Sequence, residues 1–153
     1  MKRDTRLSVA LHVLLHMAER PGTSMTSTEM AACAQTNPVV IRRTFAGLRE
    51  AGIVSSVKGH GGGWSLARPL ADIHLEAIQR ALGERLIRLA PDDESPGCLV
   101  EQAVHHALDD AVAEATRVLD QRLATITLAD LARDVGRLYR ALGKTPGENI
   151  HVL

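Results

Sequence analysis

The 153 residues carry equal numbers of acidic and basic side chains, and their composition (45% hydrophobic, 24% charged) is that of a soluble globular domain with room for an oligomerisation element. With one Phe, one Trp and one Tyr, the core must consist of aliphatic residues, and binding of single-stranded nucleic acid on stacked aromatic rings is disfavoured. The two cysteines are too few for a disulfide scaffold. No signal peptide or membrane-spanning apolar run is recognisable, which predicts a cytoplasmic protein without a membrane partner.

Charge is divided unevenly along the chain. Residues 1–70 hold nine Lys and Arg against four Asp and Glu, a net charge of +5. Residues 71–153 hold nine against fourteen, a net charge of −5. Chance variation of a solvated surface could give such a split, but the basic excess falls in elements that suit an anionic partner.

Two helices are predicted in the first 34 residues. The apolar residues between Asp4 and Arg20 recur at three- and four-residue spacing, which indicates an amphipathic helix. Thr26 and Glu29 have the spacing of a capping box and predict a short second helix to about Ala34. A tight turn then leads to a third helix, which is the order of a helix-turn-helix.

The third helix is the best-defined element of the sequence. Asn37 is a good N-cap and Pro38 suits the first helical position, while Gly52 suits the residue after the helix. The inward face is predicted to hold Val40, Ile41, Phe45 and Leu48, and the outward face Arg42, Arg43 and Arg49.

A glycine-rich hairpin follows this helix. Ile53 to Lys58 has strand composition, the glycines from Gly59 to Gly63 permit a tight turn, and a second strand is predicted around Trp64 to Ala67. A helix with a basic outer face followed by a hairpin with a basic tip is the layout of a winged helix-turn-helix.

The remaining residues predict three more helices. Asp72 is the expected cap of a fourth helix that ends at Gly83, and residues 99 to about 122 form the longest helix. Thr127 and Asp130 are expected to cap a final helix whose buried face includes Leu138 and Leu142. The apolar stripe of the long helix predicts a two-fold dimer, with an intrachain hairpin against the final helix as the alternative.

The predicted fold is therefore mainly α, a winged helix-turn-helix with a two-stranded wing and a long C-terminal dimerisation helix. We divide the chain into a DNA-binding domain (1–83), a linker (84–98), dimerisation helices (99–143) and a flexible tail (144–153).

Four stretches, RLSVALHVLLHMA, LREAGIVSSVKGHGGGWSLARP, GCLVEQAVHHALDDA and ITLADLA, resemble the Rrf2 family of bacterial transcriptional regulators. The resemblance implies a homodimer that binds a partly palindromic DNA operator, usually as a repressor. Some members hold an iron–sulfur cluster with three cysteines between the fourth and the long helix. This chain has only Cys98 there, so the sequence predicts a cluster-free branch without a cofactor; a ligand set that uses His105 or His106 is a weak alternative.

DNA contacts are predicted on the third helix and the wing. Arg42 and Arg43 are positioned to read base edges, since Arg pairs bidentately with guanine, although an ordinary solvated face is the alternative. Asn37 and Val40 lie nearer the helix start, where Val40 could touch a thymine methyl group. The resemblance places Lys58 in the minor groove.

Three further residues complete the predicted DNA contacts. His60 departs from the proline found there in some relatives, and Gly61 is one of the turn glycines that could donate a backbone N–H to phosphate. Arg6, near the start of the first helix, is a candidate for a phosphate contact.

The cysteines and histidines allow other interpretations. Cys98, at the start of the long helix, is either a redox sensor or a small buried residue at the dimer interface. Cys33 is interpreted as packing. His12 and His16 are one turn apart, but two histidines do not supply the three or four ligands that zinc requires, so no metal site is predicted. No catalytic constellation is present, which predicts a protein that is not an enzyme.

These observations predict a sequence-specific DNA-binding transcriptional regulator, a homodimeric repressor that responds to a redox or small-molecule signal. The alternative is a winged-helix module that binds another protein and not DNA.

Overall fold

The computed structural model describes residues 6–59, 62–84, 86–87 and 99–144. Within these residues the helices are α1 (Arg6–Ala18), α2 (Ser27–Cys33), α3 (Pro38–Glu50), α4 (Leu75–Leu82), α5 (Leu99–Leu123) and α6 (Leu128–Ala141). Strands β1 (Val54–Val57) and β2 (Gly63–Leu66) pair antiparallel, and a short 3-10 turn (Leu70–Asp72) precedes α4. This mainly helical architecture with a two-stranded wing confirms the predicted fold class.

The core forms where the first four helices and the hairpin meet. Aliphatic side chains from α1, α2, α3, α4 and β1 supply most of it, with Phe45 and Trp64 as its aromatic members. Phe45 is fully buried, and its ring meets Trp64 edge-to-face with centroids 5.7 Å apart. Trp64 thereby anchors the hairpin to the helix-turn-helix, because the indole also donates from Nε1 to Ser27 Oγ at 3.0 Å.

The helix boundaries follow local capping chemistry. Thr26 with Glu29, and Thr127 with Asp130, each form the predicted reciprocal capping box. The predicted cap at Asp72 is wrong, since Asp72 donates its backbone N–H to Pro69 O within the 3-10 turn. Helix α4 starts at Leu75 instead, after His74, which makes no side-chain capping bond.

Helix α6 packs onto the winged domain and does not run along α5 as its cover. Its N-terminus is held by a 2.8 Å hydrogen bond from Leu128 N to Ile73 O, and α6 contacts α1. The buried face that was predicted for α6 is partly wrong. Leu138 and Leu142 are 63% and 58% exposed, whereas Tyr139 is buried, because the inward positions follow Leu128 at i+3, i+7 and i+11.

Helix α5 joins the domain mainly at its C-terminal end. Leu123 and the nearby Ile126 pack against the core, whereas residues 102–111 are all exposed. In the described part of the chain, none of the helices is both long enough and apolar enough to cross a membrane.

Candidate nucleic-acid interface

The start of α3 is fixed by its N-cap. Asn37 Oδ1 accepts hydrogen bonds from the backbone N–H groups of Val39 and Val40, each at 3.0 Å. Pro38 occupies the first turn, where a missing N–H costs nothing. Two of the unpaired N–H groups at this helix end are thereby satisfied, and the first turn of α3 is held at the protein surface.

The end of α3 is a Schellman motif. Ile53 N donates to Leu48 O and Gly52 N to Arg49 O, both at 2.9 Å, with Gly52 in the left-handed region at φ 67°. Arg68 was not predicted to take part. Its guanidinium donates to the carbonyls of Ala51 (2.8 Å) and Gly52 (3.0 Å), so a side chain that follows β2 satisfies two carbonyls at the C-terminal end of α3.

The two faces of α3 have opposite character. Ile41, Phe45 and Leu48 are fully buried, as predicted, whereas Arg42 and Arg43 are exposed. Among the residues that the structure describes, neither guanidinium has an ion-pair or hydrogen-bond partner. Both side chains are therefore available to an anionic ligand.

Of the two valines at the start of α3, Val39 and not the predicted Val40 is the more exposed. Val40 is half-buried, and its contact with a thymine methyl group stays a prediction. Val39, which the sequence analysis did not select, is 54% exposed. It lies three and four residues before Arg42 and Arg43, so helical spacing could have assigned it to the same outer face.

The wing brings a second cation to the same end of the fold. Val57 pairs with Gly63 at the tip of the hairpin, and Lys58 follows as an exposed residue. Gly59 has φ 102°, and Gly62 N donates to Gly59 O at 3.0 Å. His60 and Gly61 lie outside the described residues, so their predicted DNA contacts stay predictions.

Hydrogen bonds tie the hairpin to the helix-turn-helix. Met25 and Trp64 exchange two backbone hydrogen bonds, at 2.8 and 2.9 Å, so the loop before α2 adds a one-residue third strand to the wing. Arg49 of α3 donates to Ser56 Oγ at 3.4 Å. Helix α3 and the wing therefore form one surface, and residues 37–58 contribute four basic side chains to it against one acidic side chain.

Arg6 is engaged within the protein. Its Nε donates to Glu84 Oε1 at 3.2 Å, and the backbone N–H groups of Arg6 and Leu7 donate to the same carboxylate at 3.1 and 3.2 Å. Glu84 thus caps α1 from 77 residues away, which no local pattern indicates. The Arg6 side chain remains 53% exposed, and its predicted phosphate contact stays a prediction.

Thiol chemistry does not fit a three-cysteine cluster. The sequence holds only Cys33 and Cys98, so one chain lacks the three thiolates of such a site. Cys98 lies outside the described residues. Cys33 carries a free thiol at the end of α2, beside His12 and His16 of α1, and burial raises the pKa of this thiol.

Comparison with known proteins agrees with this geometry. Residues 3–134 match the family model Rrf2, described as an iron-dependent transcriptional regulator. The chain is 34% identical over 132 residues to YwnA of Bacillus subtilis (strain 168), named as a candidate HTH-type transcriptional regulator, which covers 84% of this chain and 95% of that protein. It is 32% identical over 136 residues to the rrf2 protein of Nitratidesulfovibrio vulgaris (strain Hildenborough), covering 88% and 89% of the two chains.

Solved structures of related regulators share the fold. T. potens IscR superposes with a TM-score of 0.58 at 25% identity, over 88% of each chain. CymR, the global cysteine regulator of B. subtilis, superposes with a TM-score of 0.57 at 25% identity, over 87% of this chain and 97% of that one. The matched family and the relatives are named as transcriptional regulators, which confirms the prediction that the protein is not an enzyme. The chain belongs to the Rrf2 family of winged helix-turn-helix transcriptional regulators.

Proposed function

We propose that the protein is a homodimeric, sequence-specific repressor that binds a partly palindromic operator. In this proposal residues 1–83 read one half-site, residues 84–98 link the domain to the long helix, residues 99–143 carry dimerisation and residues 144–153 form a tail. The observation that carries the proposal is the pair of exposed arginines, Arg42 and Arg43, which have no ion-pair partner in the described part of the chain and lie on the helix that contacts the Lys58 wing.

Each basic residue has a distinct part in the proposed complex. Arg42 and Arg43 reach base edges in the major groove, where a bidentate pair with guanine discriminates by about 1–3 kcal/mol. Lys58 at the wing tip meets the minor groove, where a narrow A·T tract concentrates negative potential. Asn37, Val40, His60, Gly61 and Arg6 are proposed as supporting contacts to bases and phosphates.

The long helix supports a dimer because several of its apolar side chains are exposed among the residues that the structure describes. Val100, Val104 and Leu108 are 70%, 51% and 46% exposed, and Val118 farther along is 54% exposed. At 1.5 Å per residue, the 25-residue helix is about 37 Å long. An apolar stripe of this length is unusual on a monomer, and a second copy of α5 related by a two-fold axis covers both stripes at once.

Repression and signal response rest on the resemblance and on one feature of α5. An open cleft of about 700 Å³ lies along the helix, lined by Val112, Thr116, Arg117 and Asp120 among others. A small molecule of matching polarity could bind there and shift the dimer. Oxidation of Cys98 is the other proposed signal. We further propose that the protein needs no cofactor to bind DNA and that it acts in the cytoplasm, where its operator is.

Binding of selected DNA against salt concentration tests the DNA-reading proposal. Fragments are selected from random duplexes, and affinity is measured by fluorescence anisotropy between 50 and 200 mM salt. A dimer that neutralises roughly 6–10 phosphates should lose about 10³–10⁵ in affinity over this range. A flat salt dependence, or unchanged DNA affinity when Arg42 and Arg43 are both replaced by Ala, would favour the protein-binding module instead.

Matched substitutions sharpen both halves of the proposal. Arg137→Ala removes the same charge from the exposed face of α6, where the arginine pairs with Asp134, and should leave operator affinity unchanged. Leu108→Asp should convert the dimer to a species of 16.5 kDa in sedimentation, whereas Gln102→Asp on the same exposed half of α5 is the charge control. A monomeric wild-type protein would contradict the proposed dimer.

A further inference from the structure

Three potential metal ligands, two from α1 and one from α2, meet between these helices. His12 and His16 lie one turn apart on α1, and Cys33 is the last residue of α2. One ligand atom from each, a ring nitrogen from the two histidines and the Cys33 sulfur, lies within 4.8 Å of the other two. His12 is exposed and the other two are half-buried, so an ion from solution can reach the cluster.

Oxygen acceptors already hold both imidazole rings. His16 Nδ1 lies 3.2 Å from Glu19 Oε2, and His12 Nε2 lies 3.0 Å from Cys33 O. The two rings meet edge-to-face with centroids 4.7 Å apart. A metal-bound imidazole usually donates its second N–H to a carboxylate or a backbone carbonyl, which fixes its tautomer and orientation. These oxygen contacts would serve as such outer contacts when a metal binds the other nitrogen of each ring.

We propose that His12, His16 and Cys33 form a site for a thiophilic divalent cation of the zinc class. Two imidazoles and one thiolate suit Zn²⁺, whereas Mg²⁺ and Ca²⁺ require oxygen ligands. In a tetrahedral site with Zn–N near 2.0 Å and Zn–S near 2.3 Å, ligand atoms lie roughly 3.3–3.7 Å apart. The three ligand atoms here lie within 4.8 Å of one another, so side-chain rotations that move them by about 1 Å would bring them to that spacing. The fourth position is left to water.

Metal binding exchanges a proton for the ion. The Cys33 thiol releases its proton to solvent as the sulfur–metal bond forms, and the two imidazoles bind in their neutral form. The resulting clamp ties α1 to the C-terminal end of α2, immediately before the turn that leads to α3. It is distinct from the segment around Cys98, and it does not depend on whether the protein binds DNA.

Cobalt titration of the full-length, metal-stripped, reduced protein tests this site. Co²⁺ should bind at one ion per chain and give thiolate-to-cobalt charge-transfer absorption together with the visible bands of a tetrahedral ion, and Zn²⁺ should displace it. Cys98→Ser should retain all of these signals, whereas Cys33→Ser should abolish the charge-transfer absorption. Absence of that absorption in the wild-type protein, or its loss with Cys98 and not with Cys33, would overturn the proposal.

Two further variants keep the test decisive even where Cys33→Ser fails to fold, as checked by circular dichroism. His12→Asn changes an exposed side chain and should weaken Co²⁺ binding by more than about 100-fold, because a direct ligand is lost. Glu19→Gln should weaken it by about 10–100-fold while the charge-transfer absorption persists, because only the carboxylate behind His16 changes. Wild-type affinity in His12→Asn would contradict the assignment.

Discussion

Gly47, in the middle of α3, should respond to alanine in the opposite sense to an ordinary helical glycine. Replacing Gly by Ala inside a helix normally stabilises it by about 0.5–1 kcal/mol, since Gly loses more backbone freedom on folding. At Gly47 an added Cβ would lie 2.4 Å from the carbonyl oxygen of Ala81 on α4. Because that atom belongs to the backbone, one helix must move by more than half an ångström.

The overlap outweighs the entropic gain. Overpacking of this kind costs about 1–3 kcal/mol, so the net effect of Gly47→Ala should be a loss of about 1–2 kcal/mol. For a chain of this size each kcal/mol corresponds to about 2–4 °C in Tm, which predicts a decrease of roughly 2–8 °C. Thermal unfolding followed by circular dichroism measures it directly.

Gly136 in α6 provides the matched control. There the nearest atom to an added Cβ is the flexible Arg140 Nη1, at 3.9 Å. Gly136→Ala should therefore raise Tm by about 1–4 °C, as helix propensity alone predicts. A Gly47→Ala protein that melts at or above the wild-type temperature would refute the claim that α3 and α4 touch at this residue.

Four further outcomes follow from the same contacts. Asn37→Ala should lower the free energy of unfolding by about 1 kcal/mol, because it removes two capping hydrogen bonds, whereas Asn37→Ser should restore Tm. Any loss of operator affinity that remains in the Ser variant then measures a direct contact between Asn37 and DNA. Arg42→Ala and Arg43→Ala should each relax base preference at one operator position by about 1–3 kcal/mol without changing Tm, as fragment selection would reveal. Gly62→Ala would set a Cβ 2.2 Å from Val57 O, and should distort the wing and reduce the salt dependence of DNA binding. The hydrogen bonds from Thr26 lower the pKa of Glu29, so the ionised carboxylate stabilises the folded state at pH values above the ordinary pKa of Glu. This contribution to the free energy of unfolding is lost as pH falls through the lowered pKa, and Glu29→Gln should therefore flatten that part of an acid unfolding curve.

The elements that the sequence predicted well are those whose signals are local. Asn37, Pro38 and Gly52 bound α3 because each acts on neighbouring backbone groups, and the capping boxes at Thr26 and Thr127 involve residues three apart. The outward direction of Arg42 and Arg43 follows from helical spacing once the buried face is known. Local chemistry therefore defines the helix that carries the candidate interface.

Long-range contacts explain what the sequence did not predict. Glu84 caps α1 and Arg68 caps α3 only because the chain folds back, and neither has a pattern of its own. The prediction of no metal site weighed only pairs of histidines, since the position of Cys33 beside His12 and His16 depends on how α1 packs on α2. In α6 the predicted buried face included Leu138, whereas the neighbouring Tyr139 is the buried residue, so the predicted face was rotated by about one position.

The contacts of α3 also determine how a signal can reach DNA. Phe45 of α3 contacts Trp64 of the wing, and Gly47 lies against α4. Arg68, which follows β2, donates to the carbonyl of Ala51 at the C-terminal end of α3. Helix α3 and the wing are therefore expected to move as one rigid unit, and a signal that tilts α3 should move the wing with it. Helix α5 leaves this unit with residues 102–111 exposed. A change at the proposed dimer interface would thus alter the distance between two intact reading surfaces, and operator half-site spacing is the property through which the signal should act.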